Sequence, residues 1–199
     1  MKKAIAILLA VGMLTGCGGG GKTVTRLEVD SVQDLSGKWN DTDSRLVAEE
    51  MVADCMSRPW LNEFSRATGK KPVVTVGTIK NNSSEHINTE TFSTDFEREL
   101  INSSAVRFVA GKDVRAELRG ERQEQQEFAS PETMKKFRAE TGADFLLLGS
   151  INTIADQEGG KQVMFYQTDL QLVNIETMEK VWIGMKKIKK GIAQGKTKW

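Results

Sequence analysis

The sequence predicts a mixed α/β fold of the α+β type, in which helices pack on a mixed β-sheet of about five or six strands. Helix-type and strand-type patterns alternate from residue 42 to residue 148, and an antiparallel run of strand-type segments follows from 144 to 190. Once residues 1–16 are set aside, 183 of the 199 residues remain, enough for one sizeable core. We therefore expect a single domain, and two separate lobes are the less favoured alternative.

The first two helices are predicted between DTDS and TGKKP. An N-cap is expected at Thr42 or Asp43, because short polar side chains accept hydrogen bonds from the first free backbone N–H groups of a helix. Pro59 starts a second helix, and Gly69 ends it. The apolar face of the first helix consists of Leu46, Val47, Met51 and Cys55.

Three further helices follow. The segment 89–103 carries Phe92, Phe96 and Leu100 at a spacing of four residues, which is typical of an amphipathic helix. Residues 112–128 have helical composition but few apolar anchors, which predicts an exposed helix. Residues 131–141 are predicted to be helical, with Ser130 as N-cap and Met134, Phe137 and Arg138 near the core.

The strands are predicted from β-branched and alternating runs. The segments 73–79, 106–109 and 144–150 are short and largely apolar, which is typical of buried strands. Residues 163–174 alternate, with Met164, Tyr166, Leu170 and Leu172 on one face, and 181–188 return as the last strand. A turn is expected at Gly159–Gly160. A short edge strand is also expected at 23–30.

The N-terminus reads as an export signal. Two lysines precede an apolar run from Ala4 to Met13, which is too short to span a bilayer. Leu14, Thr15, Gly16 and Cys17 then resemble a bacterial lipobox, and four glycines follow as a flexible spacer. Two acyl chains are enough for stable membrane anchoring. We therefore predict a signal peptide at 1–16, a lipidated N-terminus with a short tether at 17–34, and a globular domain at 35–199.

The lipobox resemblance implies a diacylglyceryl group and an N-acyl chain, such as palmitate, on Cys17. Gly18 is not the Asp that often retains such proteins in the inner membrane, which implies the periplasmic face of the outer membrane. Without Lys2 and Lys3 the chain has 26 Lys and Arg against 27 Asp and Glu, so its charge gives no support for a nucleic-acid partner.

The residues needed for catalysis are sparse. His86 is the only histidine, Ser83 and Ser84 near it form no recognisable triad, and Cys55 is expected to be a buried small hydrophobe. One histidine and one unlipidated cysteine do not favour a zinc site, and no phosphate-binding loop is evident. We therefore expect that the protein is not an enzyme and that it binds neither a metal nor a cofactor.

Contact sites are harder to rank. Six lysines, with no acid between them, lie in 186–198, and an edge strand guarded against aggregation is favoured over a cationic patch for anionic lipid or an acidic partner. The loop 37–41 with Trp39 and the glutamine-rich segment 121–127 are alternative contact sites. The lysines are Lys186, Lys187, Lys189, Lys190, Lys196 and Lys198.

Four stretches resemble the LpoB family of outer-membrane lipoproteins that activate penicillin-binding proteins. They are LSGKWNDTDSRLVAEEM at 35–51, the segment 72–109, TGADFLLLGSI at 141–151 and LQLVNIETMEKVW at 170–182. The resemblance implies a fold related to the N-terminal domain of TolB and to CsgG-type lipoproteins. It also implies that the protein binds and activates a bifunctional peptidoglycan synthase anchored in the inner membrane, and so regulates cell-wall synthesis.

Alternatives remain open at this stage. A CsgG-like or TolB-like envelope lipoprotein of secretion or assembly is the first, and an envelope enzyme is the second. The chain also departs from well-known LpoB relatives, because it has no proline before Pro59 where they carry a long proline-rich linker. Fully extended, residues 17–41 would reach roughly 80 Å at ~3.3 Å per residue.

Overall fold

The structure is a computed structural model that describes residues 24–133, 135 and 139–193. It divides into two units, residues 1–31 and 32–199, and the first is described only from residue 24 onward. Residues 24–30 form no strand, and Val24 and Val29 are almost fully exposed. The predicted edge strand at 23–30 is therefore wrong. Its alternating pattern puts only two aliphatic side chains on one face, which is little apolar area to bury.

The second unit contains one mixed sheet of five strands in the order β2-β1-β3-β4-β5. Strand β1 runs parallel to β2 and β3, whereas β3, β4 and β5 form an antiparallel meander. Both the mixed sheet and the meander confirm the predicted fold class. The strands are β1 (Val73–Asn81), β2 (Arg107–Phe108), β3 (Phe145–Glu158), β4 (Lys161–Asn174) and β5 (Lys180–Ala193).

The three meander strands are longer than their apolar patterns predict. Strand β3 continues to Glu158 because its polar second half pairs residue by residue with the first half of β4. Gly159 and Gly160 connect the two strands and both have positive φ angles, +55° and +78°. That is the conformation which a tight two-residue hairpin requires, so the predicted turn is confirmed.

The described part of the chain contains four helices: α1 (Asp41–Ser57), α2 (Pro59–Thr68), α3 (Thr89–Asn102) and α4 (Lys112–Phe128). The N-cap of α1 is Asn40, not Thr42 or Asp43 as predicted. Asn40 and Asp43 form a reciprocal pair of side-chain-to-backbone bonds, each 3.0 Å, so the cap lies before the predicted residues and the helix begins at Asp41. Helix α4 has no buried residue, which confirms its predicted exposure.

The helix predicted at 131–141 is not present at the described positions. Residues 131–133 form a turn, in which the Thr133 N–H donates to the Ser130 carbonyl oxygen, and residues 135 and 139–141 are not helical. Met134, Phe137 and Arg138, the predicted core side, lie outside the described residues. Glu140 instead accepts two hydrogen bonds from Arg119 of α4, at 2.8 and 2.9 Å.

The hydrophobic core lies between one face of the sheet and helices α1, α2 and α3. Phe92, Phe96 and Tyr166 are fully buried there, and Trp60 of α2 stacks edge-on against Phe145 of β3 at 5.1 Å between ring centroids. The alternation predicted for β4 is confirmed, because Met164, Tyr166, Leu170 and Leu172 are all buried. The opposite face of the meander is thereby left to carry other side chains. Within the described ranges, no helix has both the length and the apolar character needed to cross a membrane.

Candidate interaction surface

The predicted lipidation site lies outside the described residues. This applies to Cys17, to the lipobox residues Leu14, Thr15 and Gly16, and to the tail lysines Lys196 and Lys198. Their roles remain predictions from the sequence.

The candidate catalytic residues lie in positions that do not favour catalysis. Cys55 is 1% exposed, and burial raises the pKa of its thiol to about 12, so it stays protonated at neutral pH. His86 is exposed in the loop after β1. Ser83 in the same loop donates a hydrogen bond to Asn81 Oδ1 at 2.6 Å, which fixes a turn of that loop.

The acidic residues of α1 are engaged in ion pairs. Glu49 lies 3.3 Å from Arg45 one turn earlier, and Glu50 pairs with Lys186 of β5. Both carboxylates therefore have structural partners, and neither forms a catalytic pair with the other.

The lysines of β5 divide into two groups, because successive strand residues point to opposite faces. Lys186 and Lys190 point toward α1, where both are ion-paired. Lys187 and Lys189 point to the other face and are exposed. The lysine run is thus neither a uniform cationic patch nor only a protection of the edge strand, because Lys186 and Lys190 form ion pairs within the domain.

Lys190 lies at the centre of a network of hydrogen bonds and ion pairs that we call the N-terminal clamp. The network binds a segment before and at the start of α1 to residues from later in the chain. The first group is Asp34, Gly37, Trp39, Asn40 and Asp43, and the second is Glu85, Tyr166 and Lys190. The Lys190 ammonium lies 2.6 Å from Asp34 Oδ1 and 2.6 Å from Asp43 Oδ2, and its side chain is only 10% exposed. Burial lowers the pKa of Lys190, but hydrogen bonds to Asp34 and Asp43 and the charges of both outweigh it, so the pKa lies above its ordinary value.

The second part of the clamp is aromatic. The Tyr166 hydroxyl donates a hydrogen bond to Glu85 Oε1 at 2.7 Å, and the backbone N–H of Trp39 donates to Glu85 Oε2 at 3.1 Å. Burial, together with the bond to Glu85 and its charge, raises the pKa of Tyr166 well above its ordinary value. The Trp39 ring packs edge-on against Tyr166 and Phe92. Trp39, predicted as a contact residue, is therefore half-buried in the core edge, and its role in a partner contact is not supported.

The face of the meander opposite helices α1 to α3 is what we call the outer face. Register places its side chains in rows across the strands, so that Ser150, Asp169 and Met185 are neighbours, as are Asn152, Gln167 and Lys187. The outer face consists of Lys80, Leu146, Leu148, Ser150, Asn152, Ile154, Phe165, Gln167, Asp169, Gln171, Ile183, Met185, Lys187 and Lys189.

A polar network lies at the middle of the outer face. Gln167 donates to Asp169 at 2.9 Å, Asn152 donates to the same carboxylate at 3.2 Å, and Asn82 donates to Asn152 at 3.0 Å. These bonds hold the side chains in fixed positions, and the amides bind the Asp169 carboxylate without removing its charge.

A groove of about 540 Å³ lies on the outer face, between the end of β1 and the middle of β5. Its lining includes Lys80, Leu148, Ser150, Asp169 and Ile183. These residues offer hydrogen bonds, apolar area and positive charge, but they contain no nucleophile paired with a base. The arrangement is suited to binding.

A family model described as the peptidoglycan-synthase activator LpoB matches residues 43–188, from the first turn of α1 into β5. The chain belongs to the LpoB family. This confirms the resemblance found in the sequence. LpoB proteins activate peptidoglycan synthases, and the activators are regulatory proteins and not enzymes. A comparison with curated proteins finds no match.

Several solved structures are similar to this chain at low identity. The LpoB C-terminal domain from Salmonella enterica is 20% identical, over 68% of this chain and 94% of that domain, with a TM-score of 0.33. The NMR structure of Escherichia coli LpoB is 14% identical over 98% of this chain and 96% of that chain, with a TM-score of 0.40. Lipoprotein GNA1162 from Neisseria meningitidis is 12% identical over 60% and 83%, with a TM-score of 0.38. The family assignment rests on the family model alone.

Proposed function

We propose that this LpoB-family protein is a lipoprotein on the periplasmic face of the outer membrane that binds and activates a bifunctional penicillin-binding protein. The observation that carries the proposal is the match of residues 43–188 to the peptidoglycan-synthase activator family. The lipobox at 14–17 supplies the anchor in this proposal, and the engaged or buried state of Cys55, Glu49 and Glu50 is consistent with a role in binding.

Activation of this kind is a shift between two states of the synthase. A regulator can change such an equilibrium only by as much as it prefers one state over the other. A tenfold preference for the active state, about 1.4 kcal/mol, would raise an active population of roughly 10% to about half. A modest interface with a small difference in affinity is therefore enough, and the domain needs no chemistry of its own.

A reconstituted glycan-polymerisation assay tests this function. The purified domain, residues 32–199, or the full mature chain is added to a bifunctional synthase from the same bacterium with lipid-linked disaccharide-pentapeptide as substrate. We expect faster polymerisation and more peptide crosslinks, with saturation as the activator is increased. No change in rate with any such synthase, or a homo-oligomeric ring that binds none, would contradict the proposal.

The lipid anchor has its own test. Mass spectrometry of the mature protein should show an N-terminus at Cys17 carrying a diacylglyceryl group and one amide-linked acyl chain. Cys17→Ala should abolish this mass increase and release the protein from membranes, whereas Cys55→Ala, a matched cysteine change inside α1, should leave the lipidation unchanged. A mature chain that starts elsewhere, or carries an unmodified Cys17, would remove the anchor from the proposal.

The clamp shortens the tether that this anchor would use. Residues 33–43 are bonded to the domain through Lys190, Tyr166 and Asn40, so the length available upstream is residues 17–32. At ~3.3 Å per residue these reach at most roughly 50 Å, against the roughly 80 Å estimated for residues 17–41. The synthase in this proposal must therefore extend farther toward the outer membrane than it would for a relative with a long linker.

A further inference from the structure

We propose that the outer face, at β3 to β5, is the surface that docks the synthase, and that the synthase presents there an apolar patch rimmed by carboxylates. The identity of the partner rests on the function proposed above. The inference adds which surface binds and what chemistry the partner must offer.

The first argument is the exposure of aliphatic side chains. Ile183 and Met185 are 66% and 55% exposed, and they lie side by side on the same face of β5. Ile154, farther along β3, is 66% exposed. The solvent face of an antiparallel sheet is ordinarily polar, and single exposed aliphatics need no explanation. The pair Ile183 and Met185, near the half-buried Leu148, does need an explanation, because an uncovered apolar group on an edge strand promotes aggregation.

The second argument is charge. Lys80, Lys187 and Lys189 are exposed and form no ion pair with any residue in the described part of the chain. Lys186 and Lys190 of the same strand both have acidic partners, so the free lysines are a feature of this face and not of the strand. A partner with carboxylates at matching positions would supply the missing counter-charges, and such complementarity speeds association and fixes orientation.

The third argument is size. Strands lie about 4.8 Å apart, so the row from Lys80 to Met185 spans roughly 14 Å across four strands, and the distance along β5 from Ile183 to Lys189 is roughly 20 Å. A stable interface buries about 800 Å² on each partner. The outer face therefore provides the centre of such an interface, and its groove of about 540 Å³ has room for side chains of the partner.

A protein fits this surface better than a membrane does. The network at its centre holds the Asp169 carboxylate among the fixed amides of Asn152 and Gln167. A protein can place donors opposite Asp169 and keep its carboxylates over the lysines, whereas a fluid layer of anionic headgroups brings negative charge to both. Amides held in place on a flat surface suit hydrogen bonds to another polypeptide. Edge protection by lysines explains Lys187 and Lys189 alone, and it does not explain why Ile183 and Met185 are exposed beside them.

The test measures affinity for the purified bifunctional synthase, together with its activation, for two double variants. One is Ile183→Ser with Met185→Ser, and the other is Lys187→Glu with Lys189→Glu. Matched controls change exposed residues elsewhere: Ile101→Ser on α3, where the side chain is 52% exposed, and Lys70→Glu after α2. Thermal unfolding checks that each variant is folded, and Lys187→Gln with Lys189→Gln replaces the charge reversal if that variant is unstable.

Both double variants should lose affinity by about tenfold or more, since buried apolar anchors and opposed charges dominate interfaces, and the controls should match the wild type. The lysine variant should also show a weaker dependence of affinity on salt. Wild-type affinity in both double variants, with activation intact, would overturn the docking surface and leave the proposed function standing. Failure of the wild type to bind any synthase would overturn both.

Vesicles of phosphatidylglycerol and phosphatidylethanolamine test the membrane as an occupant. The unlipidated domain should not bind them. Binding that Lys187→Glu with Lys189→Glu removes would assign the surface to lipid and overturn the proposal.

Discussion

Replacing Lys190 by methionine should destabilise the domain, because it removes the cation that two carboxylates share in the N-terminal clamp. Methionine keeps most of the side-chain volume, so the change isolates the charge. Asp43 is only 8% exposed and would stay buried without its ion partner, while Asp34 is 51% exposed and can be hydrated. Most of the loss of stability is therefore expected from the unpaired charge of Asp43.

The magnitude follows from burial. Removing one partner of a buried ion pair costs about 3–5 kcal/mol, because the remaining charge is uncompensated. Asp43 keeps its hydrogen bond from the Asn40 N–H at 3.0 Å, which places the cost of Lys190→Met near the lower limit, about 3 kcal/mol. For a domain of this size, 1 kcal/mol shifts the melting temperature by about 2–4 °C, so we expect a fall of about 9 °C.

Urea denaturation followed by circular dichroism measures this cost directly. Lys187→Met is the matched control, since Lys187 is a neighbour on the same strand that has no ion pair in the described structure, and its unfolding free energy should change little. Adding Asp43→Asn to Lys190→Met should recover part of the loss, because the amide carries no charge and its oxygen can still accept the Asn40 N–H. A cost below about 0.5 kcal/mol for Lys190→Met, the level of an exposed pair, would refute the reasoning.

Three further predictions concern stability. Tyr166→Phe should cost about 1–2 kcal/mol in urea denaturation, because Glu85 loses a 2.7 Å hydrogen bond at a half-buried position; an unchanged midpoint would show that water replaces it fully. The pKa values of Tyr166 and Lys190 are both raised on folding, so the stability that these groups give the domain is complete below pH ~10 and is lost as the pH rises through the folded pKa values. Urea midpoints measured from about pH 8 to 11 should therefore fall toward the alkaline end. They should fall less in Lys190→Met. Gly149→Ala should destabilise the domain by about 1–3 kcal/mol, because the new Cβ would lie 2.3 Å from a β4 side chain and 2.6 Å from a β4 carbonyl oxygen. Gly120→Ala, where α4 has open space, should stabilise it by about 0.5–1 kcal/mol. Equal shifts of the melting temperature in the two variants would contradict this.

The sequence predicts well those elements whose burial is strong and regular. Strand β4 is the clearest case, because its alternating apolar residues identify both its conformation and the face that packs on the helices. Helix α3 is another, since Phe92, Phe96 and Leu100 are spaced for one helical face and are all buried. Local pattern and tertiary packing agree at these positions, so either is enough to locate the element.

The elements that were mispredicted have weak or competing local signals. Residues 24–30 alternate like a strand but form none, and Pro131 begins a turn where its favourable helix position predicts a helix. The start of α1 is ambiguous in the sequence because residues 40–44 are all of types that cap helices, and only the reciprocal bonds between Asn40 and Asp43 decide between them.

The candidate surface was only half visible in the sequence. The lysine run at 186–190 was noted as a possible contact site, yet its division between two faces depends on the register of β5 against β4. The clamp was missed altogether, because Asp34 and Lys190 are 156 residues apart and no local pattern connects them. Strand alternation applied to the lysines alone would have separated Lys187 and Lys189 from their neighbours.

The clamp also determines where mechanical load enters the domain. A pull transmitted along the backbone from the N-terminal side first meets Asp34 and Asn40, and passes from there to Lys190 on β5. That strand is paired with β4 along nearly its full length, so the part of the load that reaches Lys190 is shared by many backbone hydrogen bonds of the sheet. In the lipid-anchored protein that we propose, a pull on the tether would thus reach the sheet directly and not only the start of α1.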